Sequence, residues 1–205
     1  DRLNPKDPFY KGRVNSCMGF LCKQDSCFEE ALEFYLRANE AFEKTGDERR
    51  IANGLVSIAE QYVCLYEYAK ADSVLQIASS YDIDSAYYAD IMDIKALALY
   101  NQEMYDSALV CLLGIENYPR HMEARCYSYQ MIMQIYNLLN EPDTAIKYAR
   151  YIITNSNNPN YRSNAYYHLI NDAKFNNDLE HISLYSCVRE DEDRKIQHDA
   201  ELCAQ

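Results

Sequence analysis

The feature that most limits what this chain can fold into is a pattern that returns every 37 to 40 residues. Ala31, Ala71, Ala108 and Ala145 each open a segment that has apolar or small side chains four and seven positions further on. The segments read Phe28/Ala31/Tyr35/Ala38, Tyr68/Ala71/Leu75/Ala78, Tyr105/Ala108/Leu112/Ile115 and Pro142/Ala145/Ala149/Ile152. Spacings of three, four and seven put these side chains on one stripe of an α-helix. The unit at residues 51–78 is the clearest: Leu55, Ile58, Ala59 and Tyr62 form a first stripe, and a short polar break separates it from the second. Two such helices fold back on one another, with Ala59 and Ala71 letting the axes approach while Tyr62 and Leu75 fill the space beside them. One hairpin of this size still leaves apolar surface in water, so it must stack on copies of itself.

The spacing therefore predicts an all-α chain, an α-α superhelix or solenoid of about five helical hairpins. Their expected extents are 8–44, 47–81, 84–117, 120–155 and 159–188, within one repeat domain of residues 1–188. Only 5 Gly and 5 Pro occur in 205 residues, too few for a β-rich or loop-rich fold. Punctuation agrees: Thr45-Gly46 suits a left-handed turn after a helix, and Asp47 and Asp84 suit helix caps. Pro142 is tolerated in a first turn, and Asn155-Ser156-Asn157-Asn158-Pro159 is the plainest loop signal. The last helix has an apolar stripe of Leu179, Ile182, Tyr185 and Val188, then turns mostly charged over 189–205. That extension reads either as a solvated cap that frays or as a connector helix continuing past Gln205.

A formal net charge of −12 argues against nucleic acid, whose phosphates are bound by lysine and arginine. No apolar run approaches the length that spans a bilayer, so no membrane contact is expected of this segment itself. None of the 8 cysteines forms a CxxC pair. The reading with most weight makes them small core hydrophobes, with a disulfide between neighbouring helices as the alternative. The glycines at 12, 19, 46, 54 and 114 form neither a dinucleotide fingerprint nor a phosphate loop. The histidines at 121, 168, 181 and 198 show no HExxH pair, although His168 and His181 could meet across the last hairpin. No enzyme, cofactor or metal site is expected.

The repeats resemble the tetratricopeptide repeat and its pattern W-x2-L-G-x2-Y…A-x3-F. The second unit fits best, as Leu55-x2-Ile58-Ala59-x2-Tyr62…Ala71-x3-Leu75, and the fourth carries Tyr129-x2-Ile132-Met133-x2-Tyr136. Met18-Gly19-x2-Cys22 and Ala96-x2-Leu99 are looser, and no repeat has the family's tryptophan. The layout also looks like the repeat domains of bacterial membrane-anchored regulators, which go on into a transmembrane helix and a histidine-kinase-like or helix-turn-helix output. The phrases carrying that likeness are Thr45-Gly46-Asp47…Ile51-Ala52-Asn53-x-Leu55 and Leu184-Tyr185…Val188-Arg189-Glu190-Asp191.

The resemblance implies a non-enzymatic protein- or peptide-binding domain, the sensory or adaptor part of such a regulator, with a membrane anchor expected after Gln205. The alternative is an adaptor lipoprotein of a secretion or envelope-assembly system. An extracytoplasmic location follows from the likeness and a cytoplasmic one from free-looking cysteines, and both stay open. In the family, first helices line a concave groove. The corresponding positions here are Asn53 and Glu60; Asp90, Asp93, Tyr100 and Asn101; Tyr127, Gln130, Gln134 and Asn137; and Asn164, Tyr167 and Asn171. Carboxamides have both donor and acceptor and could hold the backbone of an extended peptide; alternatively they merely keep an exposed concavity soluble. A lysine and arginine cluster of the kind that clamps a terminal carboxylate is not evident in these positions.

Overall fold

In the computed structural model, which describes residues 7–81 and 83–203, the described residues form ten α-helices and no strand. They are α1 (Pro8–Gln24), α2 (Phe28–Glu43), α3 (Glu48–Cys64), α4 (Tyr68–Ala78), α5 (Ser85–Asn101), α6 (Tyr105–Gly114), α7 (Met122–Leu138), α8 (Pro142–Asn155), α9 (Pro159–Phe175) and α10 (Leu179–Cys203). The chain divides into two compact units, one up to Cys111 and one from Leu112. Residues 1–6, 82 and 204–205, at the edges of the expected hairpins and extension, lie outside the described residues.

In the first unit α2 packs on α1 and on α3, α4 packs on α3 and on α5, and α3 touches α5. The second unit repeats the scheme, with α8 on α7 and α9, α7 touching α9, and α10 on α9. The hairpins α1/α2, α3/α4, α7/α8 and α9/α10 thus pack chiefly against their sequence neighbours, the nearest-neighbour economy of repeat stacking. The repeated alanines lie in the packed interior: Ala31, Ala71, Ala108 and Ala145 are each at most 1% exposed. Gly19, Ala59, Ala96 and Met133, the matching positions of first helices, are buried as well. Around Gly12 and Gly19 the fit is so close that an added methyl would stand 2.4 Å from the Phe42 ring and 3.0 Å from the Tyr35 ring.

The turn inside every hairpin is the same turn. Ser26, Tyr66, Glu103, Asn140 and Asn177 all have φ between 55° and 61°. Each sits in the middle of a three-residue link. The amide after it donates to a carbonyl five residues back: Cys27 to Cys22, Glu67 to Tyr62, Met104 to Leu99, Glu141 to Tyr136 and Asp178 to Ala173. That is the Schellman end of a helix, which satisfies its last carbonyls and reverses the chain. Glycine is the usual residue there, and none of the five is glycine.

Four of the five first-helix starts are capped by side chains: Asp7 accepts from the Phe9 amide at α1, while α7 behind His121 has no such cap. Asp47 accepts from the Arg50 amide, Asp84 from the Tyr87 amide and Asn158 from the Asn160 amide. The ends of second helices are met by the next first helix. Arg125 donates to the carbonyls of Glu116 and Tyr118, and Arg162, 37 residues later, donates to the carbonyl of Ile153. In the first unit the buried Tyr87 hydroxyl donates to the carbonyl of Ala78 at 2.9 Å. Burial and the nearby Tyr81 and Asp90 push that phenol up to about 12.

Helix α10 runs through the charged stretch without a break, and that stretch is not wholly solvated. Glu192 is only 3% exposed and its carboxylate accepts from Arg162 Nε at 3.0 Å and Lys195 Nζ at 3.2 Å. Ser163 donates to Asp193, and Arg189 Nε donates to Ser163. Charged side chains of residues 189–193 find partners on α9, so this part of the extension is not simply a solvated face. Leu179, placed on the apolar stripe by its spacing, is 78% exposed because it stands at the turn, ahead of the packed part of the helix.

Two outcomes follow for stability. Glu103→Gly relieves the left-handed backbone at an exposed site and is expected to raise unfolding free energy by about 0.5 kcal/mol, measured by urea denaturation. Arg162→Ala leaves Glu192 a poorly compensated buried charge and is expected to cost about 3 kcal/mol. In a double-mutant cycle Glu192→Ala restores part of that loss; strictly additive effects would show the two residues to be uncoupled.

Candidate functional site

First helices carry the polar positions singled out above, and each unit treats them differently. In the second unit α7 and α9 touch, and each presents one stripe. Tyr127, Gln130, Gln134 and Asn137 recur at three- and four-residue steps along α7, and Asn164, Tyr167 and Asn171 do so along α9. Asn164, Tyr167 and Asn171 are exposed, and Gln130 and Gln134 half-buried. Gln130 Oε1 is buried with no hydrogen-bond donor, an acceptor held ready inside the face.

The two stripes are tied together by Asn137. Its Nδ2 donates to the carbonyl of Met133 at 2.9 Å and meets His168 Nδ1 at 2.7 Å. An amide donor there requires an unprotonated Nδ1, so His168 is a neutral imidazole with its proton on Nε2. Burial holds its pKa below the ordinary histidine value of 6.5, since a charge would lose its water. Asn137 is therefore an internal strut. Tyr167 is flanked by the His168 ring at 5.5 Å and by the Arg189 guanidinium at 5.2 Å. Together with Lys174 and Glu190 it lines a pocket of about 220 Å³ between α9 and α10. His181 pairs with Asp178 at 2.6 Å, so the two histidines face different partners.

In the first unit the expected positions are less open. Asp93 is 4% exposed and both it and Asp90 are engaged with other residues, as is Tyr127 in the second unit. Asp93 thus belongs to the packed side of its helix, a place the repeat alignment put on the open side. Glu60 accepts from Lys23 Nζ through both carboxylate oxygens at 2.7 Å, bridging α1 and α3. Tyr100 is half-buried against Tyr105 at 5.8 Å, and burial raises its pKa. Asn101 is exposed at the end of α5, and Asn53 is exposed on α3.

Asn53 lines a pocket of about 260 Å³ between α1 and α3 whose other lining includes Arg13, Ser16, Arg50 and Phe42. The two arginines lie 37 positions apart in the chain and belong to no sequence cluster, so sequence reading did not bring them together. The only signal available was their parallel spacing, Arg13-x2-Ser16 and Arg50-x2-Asn53.

Seven cysteines among the described residues are free thiols. Only Cys126 is fully buried, while Cys17, Cys27 and Cys187 are exposed, so the core-hydrophobe reading applies to a minority. Among the described residues no group of three His, Cys, Asp or Glu side chains is placed to hold a metal ion. No helix among them is long and apolar enough to cross a membrane. No protein family, no curated protein and no solved structure matches the chain.

The histidine gives a pH outcome. Because its folded-state pKa lies below its unfolded value, the unfolded chain takes up this proton first as pH falls. Its contribution to stability is complete above about pH 6.5 and declines below it, by about 1.4 kcal/mol for each pH unit until the folded group titrates too. Comparing denaturation of the wild type and His168→Gln between pH 7.5 and 5 isolates this; equal slopes would mean that His168 is not the group.

Proposed function

We propose that the chain is a non-enzymatic peptide-binding domain of tetratricopeptide-repeat type that holds an extended segment of a partner on the polar face of α7 and α9. The observation that carries this is a carboxamide stripe on each of two touching helices, Gln130 and Gln134 on α7 and Asn164 and Asn171 on α9, with a buried oxygen at Gln130 lacking a donor. Carboxamides satisfy backbone N–H and C=O groups alike and are indifferent to the partner's side chains, whereas Tyr167 supplies rigid contact area at low entropic cost. The repeat spacing and the nearest-neighbour helix contacts support the family assignment. The likeness to regulator phrases supports a sensory or adaptor role in a bacterial signalling protein; a secretion or assembly adaptor would use the same face.

The test is selection of binders from a random peptide display library on the intact chain. Binders are expected to lose at least tenfold in affinity for Gln130→Ala/Gln134→Ala/Asn171→Ala, whose far-UV circular dichroism stays unchanged. Undiminished binding by that variant would discard the α7/α9 face.

A further inference from the structure

The pocket between α1 and α3 is built from the first unit alone, and α7 and α9 contribute nothing to it. Its chemistry is unusual for a chain with net charge −12. Arg13 and Ser16 project from α1, Arg50 and Asn53 from α3, each pair at an i, i+3 spacing that puts both side chains on one helix face. The two guanidiniums rest on the same ring: Arg50 Cζ is 4.8 Å and Arg13 Cζ 6.0 Å from the centroid of Phe9, and Arg50 also lies 5.7 Å from Phe42. Stacking on aromatic faces fixes both cations in place.

Two like charges held on one ring repel unless an anion lies between them. The chain supplies only part of one. Asp47 Oδ2 stands 3.1 Å from Arg50 Nε, and no carboxylate lines the pocket. Among the described residues the side chains of Arg13, Ser16 and Asn53 make no hydrogen bond or ion pair. A guanidinium, a hydroxyl and a carboxamide thus line one pocket with no partner among the described residues, beside a second guanidinium whose terminal N–H groups make no hydrogen bond among them.

We propose that this pocket is a binding site for a phosphoryl group. A phosphate monoester carries a charge near −2 and three strong acceptor oxygens, which matches two guanidiniums and leaves an oxygen for the Ser16 and Asn53 donors. Asp47 already pairs with Arg50, so the donor count decides between anions: a carboxylate, with two oxygens, leaves part of this donor set unmatched. The pocket volume of about 260 Å³ accommodates the group with the residue or small molecule that bears it. The phosphoryl group comes either from free phosphate or from a phosphorylated side chain, and the same measurement separates these.

The experiment follows the arginine Nε–Hε resonances of the full chain by NMR at constant ionic strength. The titrants are inorganic phosphate, a short peptide containing phosphoserine, the same peptide with serine, and acetate. The Arg13 and Arg50 resonances are expected to shift saturably with inorganic phosphate. Phosphopeptide binding at least tenfold tighter assigns the occupant to a phosphorylated residue, and equal or weaker binding assigns it to free phosphate; either supports the site. Arg13→Gln, an exposed position, and Ser16→Ala are expected to weaken binding at least tenfold and about threefold, while Arg37→Gln on α2 leaves it unchanged. Absence of a saturable shift with both phosphate and phosphopeptide, or an equal response to acetate, would overturn the proposal.

Discussion

Everything in this molecule depends on close approach between helices too short to stand alone. A helix of 16 or 17 residues is marginal in water, and most of its stability comes from the face it buries. Here that face is kept narrow by small residues. Gly12 and Gly19 admit the rings of Phe42 and Tyr35, and alanines at 31, 59, 71, 96, 108 and 145 are buried in the other contacts. Where the backbone comes near, larger side chains pack beside the contact, as in the buried cluster of Ala52, Ala59, Val63, Ala71, Leu75, Ala78, Tyr87, Ile91 and Ile94. Adding a methylene to such a contact forces strain into its neighbours, because interiors are already packed like crystals.

Short helices also have many ends, and each end leaves orphan backbone groups. The chain settles them by two devices that recur with its period. Inside a hairpin the left-handed residue and its five-back hydrogen bond close one helix and launch the next. Between hairpins a side chain from the following first helix reaches back, Arg125 to Glu116 and Arg162 to Ile153. Arg162 then serves twice, since the same guanidinium neutralises Glu192 and so anchors the charged half of α10 to α9. A charged sequence can therefore be structural wherever its carboxylates meet fixed cations.

The surfaces follow from the same geometry. Side chains on the outward stripes of first helices that touch within a unit, α1 with α3 and α7 with α9, are displayed side by side. In the second unit both touching first helices carry carboxamides, and in the first unit Arg13 and Arg50 meet on the Phe9 ring. These are distinct recognition chemistries produced by one backbone arrangement, with Asn137 and Glu60 in each case spent on holding the two helices together.

Helix number, helix direction and the identity of the packed alanines were legible in the sequence, because a stripe at three- and four-residue spacing encodes burial locally. Capping by Asp47 and Asp84 was legible for the same reason. The left-handed turn residues were not: serine, tyrosine, glutamate and asparagine carry no shared signal, and only the stacking of the helices compels their conformation. Nor was the burial of Asp93 and Glu192, or the open position of Cys27 at its turn, since each depends on which neighbour lies opposite. The meeting of Arg13 with Arg50 on Phe9 is the plainest case. Periodicity along one helix determines which side chains share its face, but which two faces oppose one another, and so which charges meet, is decided only when the helices pack.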